Sequence, residues 1–513
     1  MNMKKLYKYS KLFYCIMLLV VSQLAFGQKN KFPYFNTGQT SEGFKILGES
    51  TKDKPSPGLI TFTKDGIKLI DNYEQYAGVA LDNLEFTTEK GFILEFEFGL
   101  DSGSAQPRYG DGIAMVLYDG SEANPTMGAK GGALGYAPRK HLTSSNSKLG
   151  FSKGFLGLGL DLYGNYKNIM KNKDEIRNGL MTDDAKGNYV VLRGPYSPTS
   201  QYDGYPALFA INTVENKNYF LNRTTGAVEI KSRGFEGQRF DIRSGKANVS
   251  IGDVGYRKIV ISLVPGIDDV NSENGFFISV DVLHGDFKST VVKNYFIPKA
   301  GKIDYIEQVT DKNSERRSLD ILVPQSLKMA FTGSTGAASI RAHIRNIALS
   351  LPFSPVANDM TYHGVLPDIQ NVFKPLYSAF GYNSNVYSVL NPPIKSVLYL
   401  DKSSFRFKKM DPVTKQVVLT PNPYELNEPG VGTFTYDKDS GEVSFVPEEG
   451  FAGDAPYVFY YDIKNSKPAT GVDISIEEYR SRTAAITLNF VKKGTGVDLY
   501  PSLIINKGIK KIN

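Results

Sequence analysis

Three short segments in the first half of the chain carry groups suited to holding a polyhydroxylated ring. Gly110-Asp111-Gly112 leads into the apolar run Ile113 to Leu117, which sets a carboxylate at the mouth of a β-type stretch. Gly131-Gly132-Ala133-Leu134-Gly135-Tyr136 offers backbone amides with no side chain to shield them. A third apolar run ends on Asp161, Tyr163 and Asn165, an Asp-x-Tyr-x-Asn cluster. A carboxylate accepts hydrogen bonds from two adjacent hydroxyls with charge-assisted strength. A glycine lets a ligand approach the backbone closely, an Asn amide donates, and an aromatic ring covers an apolar face. Carboxylate, amide and carbonyl oxygens together also suit a hard cation such as calcium.

Each segment has a plainer reading when taken alone. Asp-Gly is a common turn dipeptide, so Asp111-Gly112 also reads as a turn leading into a strand. Gly131-Gly132 is an ordinary loop signal, and Asp161 and Asn165 are ordinary loop polars. The order of the segments carries more weight than any one of them.

The elements that position these groups read as β throughout. Phe92 to Phe98 alternates, with Glu95 and Glu97 on one face, as a half-buried strand does; that face is expected to be outer and solvated. Lys258 to Val264 and Phe276 to Val282 read as successive strands, and Leu398–Leu400, Gln416–Thr420, Gly432–Tyr436 and Val443–Val446 continue the pattern. Ser440-Gly441 between two such runs is a hairpin signal. Gly (49) and Pro (26) are spread as punctuation between short strands, and no long 3.6-residue period is visible.

A fourth segment, Phe331-Thr-Gly-Ser-Thr-Gly-Ala337 followed by His343 to Ser350, completes an ordered set that resembles the L-type (legume-like) lectin family, bacterial members in particular. The resemblance spans about residues 35–350; Arg193-Gly194-Pro195 and the Tyr256–Pro265 run are also similar. It implies a concanavalin-like jelly roll of two large antiparallel sheets. It further implies that Asp111 is the sugar-binding carboxylate, Gly132 the bare amide, Asn165 the amide donor and Tyr163 the stacking ring. The peptide before Asp111 is cis in that family. Calcium would sit on Asp161, Asn165 and the Tyr163 carbonyl. The glutamate that would hold a transition metal is replaced by Gly159, so no transition metal is expected, and the last calcium carboxylate is not evident: Asn168 is close and Asp174 lies further on. Residues 429–462 resemble the repeat modules of bacterial fibrillar adhesins, of CshA type or related Ig-like kind, in a single copy.

The implied function is that of a secreted or cell-surface carbohydrate-binding protein, a lectin or adhesin whose partner is a glycan or glycoconjugate. The contrasting readings are a structural adhesion protein with a silent site and a glycoside hydrolase. A hydrolase needs two carboxylates flanking the scissile bond, and this fold supplies them as Glu-x-Asp-x-x-Glu on one strand. The nearest stretch, Gly159 to Gly164, lacks both glutamates, so the protein is expected not to be an enzyme. His141, His284, His343 and His363 are scattered without metal-ligand spacing; His343 is expected to pack on or beside a closing strand.

The 513 residues suffice for two or three domains. The balance of 60 basic and 53 acidic residues shows no concentrated basic face, which argues against nucleic acid. Lys4, Lys5, Lys8 and Lys11 precede the apolar run Leu12–Val21 and the small residues around Ala25 to Gly27. This reads as a secretory signal cleaved before Gln28, with a retained anchor as the alternative. Cys15 is the only cysteine, so a mature chain would have no disulfide. The expected organisation is a signal over 1–27, the lectin-like jelly roll over 28–352, a linker over 353–375, a smaller Ig-like β-sandwich over 376–492 and a polar tail over 493–513. No transmembrane segment is expected in the mature chain. The stretch 166–246, with Tyr196, Tyr202 and Tyr205, reads either as ligand rim or as edge loops.

Overall fold

The computed structural model describes residues 32–491 except 102–108, 142–146, 169, 173–174, 177–186, 233, 248, 269–271, 309–313, 384–392 and 469–472. The expected signal, Cys15, Asp174 and the polar tail lie outside the described residues. What is described is all-β, with short 3-10 turns as its only helical elements. Among the described residues no helix is long and apolar enough to cross a membrane.

Two large sheets form the first module. In one, Phe92–Asp101 lies between Arg257–Asp268 and Arg341–Ser350, with Glu273–His284 and Phe287–Pro298 beyond. In the other, Gly112–Asp119 lies between Gly154–Asp161 and Ser326–Ser334. Alternation sets what faces inward: Phe92, Leu94, Phe96, Phe98 and Leu100 are all buried in the space between the sheets. There Phe96 meets Phe331 of the opposite sheet edge-on, with ring centroids 5.1 Å apart. Tyr189–Arg193, Ala207–Asn212, Lys217–Leu221 and Val228–Ser232 extend the second sheet, so much of 166–246 is sheet and not loop. Tyr205 is buried and donates its hydroxyl hydrogen to the Phe151 carbonyl at 2.8 Å, which takes it out of any ligand rim.

The second module is a smaller sandwich. Met360–Val365, Ala484–Phe490, Tyr457–Asn465, Leu400–Met410 and Val417–Leu419 form one sheet; Asn371–Phe373, Val443–Pro447, Gly432–Tyr436 and Glu425–Glu428 form the other. The hairpin at Ser440-Gly441 is present, with Gly441 at φ 80°. The expected linker over 353–375 is corrected: it supplies two strands, one pairing in parallel with Ala484–Phe490 and one with Val443–Pro447. The run Leu398–Leu400 is mostly a 3-10 turn that leads into the strand at Leu400.

The expectation of a solvated face at Glu95 and Glu97 is also corrected. The second module covers that face. Arg482 reaches Glu95 at 3.1 Å and Asp359 at 3.0 Å, and Lys258 pairs with Glu95 from the neighbouring strand. Arg345 pairs with Glu97 at 2.6 Å. Ile474 and Tyr479 of the second module pack into the core of the first. Burial pushes the Glu95 carboxyl up, but Lys258 and Arg482 more than offset this and hold it below its ordinary value.

Candidate functional site

Cross-strand register builds one rim. Asp161 lies opposite Gly112, and Gly112 lies opposite Ser334, at the ends of three adjacent strands. The segments leaving those ends are therefore neighbours. Gly110–Asp111 is a cis peptide, as the family resemblance implies. The Asp111 amide donates to the Ser334 carbonyl at 3.0 Å, and its own carbonyl accepts from Leu162 (2.9 Å) and Tyr163 (3.3 Å). A Cβ at Gly112, where φ is 150°, would run into the Leu160 carbonyl. Only glycine lets the strands close at that point.

The glycine segment meets the same rim. Gly131–Ala133 is a single 3-10 turn, closed by Leu134 in the left-handed region with its amide on the Gly131 carbonyl. The Gly131 amide donates to Ser334 Oγ at 2.6 Å. Asp111 Oδ2 lies 3.9 Å from where a Cβ on Gly131 would stand, and 3.5 Å from the same point on Gly336. Gly132 is buried next in the turn, where its amide has no acceptor within the turn.

Tyr163 is 42% exposed, whereas Asp111 and Asn165 are 8% and 6% exposed. The Tyr163 and Ala338 side chains each lie 3.2 Å from where a Cβ on Gly110 would stand. Thus Asp111, the Gly131-Gly132 turn and the Tyr163 loop are brought together. Ser334, Gly336 and Ala338 join them, although reading the sequence gave them no individual role; their signal was the small-residue run Gly333 to Ala338.

No family model matches the chain, and no curated protein matches it. Among solved structures it is similar to the VIP36 exoplasmic/lumenal domain in its Ca2+/Man-bound form, at 12% identity over 60% of this chain and 83% of that one, TM-score 0.29. It is similar to basic winged bean lectin with Tn-antigen, at 11% identity over 63% of this chain and 100% of that one, TM-score 0.26. It is also similar to a Lotus tetragonolobus seed lectin isoform, at 12% identity over 62% and 97%, TM-score 0.31. The similarity is one of fold. What the rim does is argued from its own residues.

Of the expected calcium set, Asp161 is already engaged by the chain. Asp161 is fully buried, and both its oxygens accept backbone amides: Oδ1 from Gly164 at 2.7 Å, Oδ2 from Tyr166 at 2.8 Å and Lys167 at 3.4 Å. Burial pushes its carboxyl up, and the amides and Lys167 only partly offset this. The Lys167 ammonium, itself fully buried, donates to the Gly164 carbonyl at 2.8 Å and to Asn168 Oδ1 at 2.9 Å. A positive charge thus already lies in the same loop, on the Gly164 carbonyl and on Asn168 Oδ1. Among the described residues no group of three or more His, Cys, Asp or Glu side chains is placed to hold a metal.

At Gly159, where the family resemblance expects a glutamate, a Cβ would run into two carbons of the Tyr166 ring. The histidines lie on separate strands: Lys140–His141, Glu273–His284, Arg341–Ser350 and Met360–Val365. His343 is half-buried on its strand, and burial holds its pKa below the ordinary value.

Proposed function

We propose that this protein binds carbohydrate, as a glycan or glycoconjugate, at the shallow rim formed by Asp111, Gly132, Tyr163 and Asn165, and that it acts outside the cell as a lectin or adhesin. The observation that supports this most is the Asp161–Gly112–Ser334 register, because it draws a carboxylate, a bare-amide turn and an exposed tyrosine to one edge. In this reading Asp111 accepts from two sugar hydroxyls, Gly132 and Asn165 donate, and Tyr163 covers the apolar face of the ring. The extracellular part of the proposal rests on the leader-like N-terminus read from the sequence.

Glycan-array binding by the full chain tests the site, with Asp111→Ala and Asn165→Ala beside the wild type. A hydrogen bond to a charged group contributes about 1.5–3 kcal/mol, so Asp111→Ala should weaken binding by roughly 10- to 100-fold. Binding unchanged in both variants would sink the assignment. The low exposure of Asp111 and Asn165 favours a second reading, an adhesion protein with a silent rim. A wild type that binds no glycan while still adhering to cells or matrix would support that reading. A hydrolase has less support, because Glu95 and Glu97 are committed to ion pairs; release of reducing sugar from a bound glycan would revive it.

A further inference from the structure

Lys167 is a lysine with almost no access to solvent, and burying an ammonium is costly unless it is paired and hydrogen-bonded. Here it is satisfied by the Gly164 carbonyl, by Asn168 Oδ1 and by the Tyr189 ring, whose centroid lies 4.6 Å from Nζ. It also offsets part of the rise that burial imposes on the Asp161 carboxyl, whose oxygens hold three backbone amides of the same loop. A carbonyl and a side-chain amide oxygen are hard oxygen donors of the kind that calcium gathers. In this chain they gather around an ammonium.

A second buried cation fastens the loop from its other side. Arg193, also fully buried, donates from Nε and Nη2 to the Tyr166 carbonyl (2.9 and 2.5 Å) and from Nη1 to the Tyr205 carbonyl (2.7 Å). Its guanidinium lies 4.9 Å from the Tyr166 ring centroid, and that ring fills the space above Gly159.

We infer that the Lys167 ammonium, a cation carried by the chain itself, takes the place of calcium and fixes the 162–168 loop without a metal. The loop holds Tyr163 and Asn165 and is tied to the Asp111 carbonyl through the Leu162 and Tyr163 amides. Two buried side-chain charges and these backbone bonds therefore hold the loop at the rim. The inference does not depend on whether the rim binds sugar, and its readouts are melting and metal content.

The full-length protein is dialysed against EDTA, and melting is followed by calorimetry with EDTA and then with about 5 mM calcium chloride. That concentration is roughly 500-fold above a dissociation constant on the order of 10 µM, enough for a real site to raise the Tm by several degrees. The expected result is two melting temperatures within about 1 °C of each other, and no stoichiometric calcium by equilibrium dialysis. One calcium per chain at micromolar affinity, with the matching rise in Tm, would overturn the inference.

Lys167→Met keeps the length of the side chain and removes the charge, leaving the buried Gly164 carbonyl and Asn168 Oδ1 without their donor. The Tm should fall by at least about 5 °C. An unchanged Tm would equally overturn the inference. Should Lys167→Met fail to fold, the calcium comparison on the wild type still decides. Loss of glycan binding in Asp111→Ala with no calcium effect on the wild type would support both proposals separately.

Discussion

Replacing Arg482 by Met tests how the second module is held on the first. Arg482 is 9% exposed and bridges Glu95 (14%) and Asp359 (23%), at 3.1 and 3.0 Å. Removing one partner of a buried ion pair costs about 3–5 kcal/mol, because the remaining charge stays desolvated. Glu95 keeps Lys258, and Asp359 keeps the Ala485 amide at 2.8 Å, so the lower end, about 3 kcal/mol, applies. At roughly 2–4 °C per kcal/mol for a module of this size, calorimetry should show a fall of about 6–12 °C in the transition that includes the second module. Lys302→Met is the control: Lys302 and its partner Asp320 are 67% and 70% exposed, so the change should stay within about 0.5 kcal/mol.

The pH dependence has a definite sign. Burial raises the Glu95 and Asp359 carboxyls, but Arg482 and Lys258 leave both below their ordinary values. Their contribution is thus present above the unfolded carboxylate range near pH 4 and is lost as pH falls through the lower folded values. The gap between wild type and Arg482→Met should therefore be widest near neutral pH and narrow towards pH 3. A variant that melts within about 1 °C of wild type at neutral pH would refute the cluster as the fastening between modules.

Two further substitutions probe the rim's backbone and are read by chemical denaturation. Gly112→Ala drives a Cβ into the Leu160 carbonyl, and since backbone cannot step aside cheaply it should cost about 2–4 kcal/mol; a loss under 0.5 kcal/mol would show that the strands can part there. Gly159→Ala overpacks against the Tyr166 ring and should cost about 1–3 kcal/mol, whereas a neutral result would mean that the ring is not wedged above Gly159.

Local pattern carried the strands, and the resemblance to lectins drew attention to the motifs at their ends. The alternation of Phe92 to Phe98 and the bounds of Gly432–Tyr436 follow from period-two patterning, and Asp111, Gly131-Gly132 and Tyr163 fell into place because the motifs end neighbouring strands. Alternation tells which residues share a face, though not what covers it, so Glu95 and Glu97 read as solvated while Arg482, far along the chain, reaches across to Glu95. The pairing of Met360–Val365 with Ala484–Phe490 likewise joins distant segments with no local signal, which made a strand look like a linker. Lys167 was invisible for a different reason. A lysine between Asn165 and Asn168 defaults to solvent, and its burial depends on the Tyr189 ring and the Gly164 carbonyl, which only the folded chain brings to it.

The covered sheet has a consequence for assembly. Broad, flat β faces are natural places for copies of a protein to stack. In this chain that face, on the side of Glu95 and Glu97, is already taken by the chain's own second half, locked by Arg482 and plugged by Ile474 and Tyr479. Around Glu95 and Glu97 copies of the chain cannot stack directly on the sheet. If avidity is needed for a shallow rim, it has to come from how chains are displayed side by side and not from back-to-back pairing of their sheets.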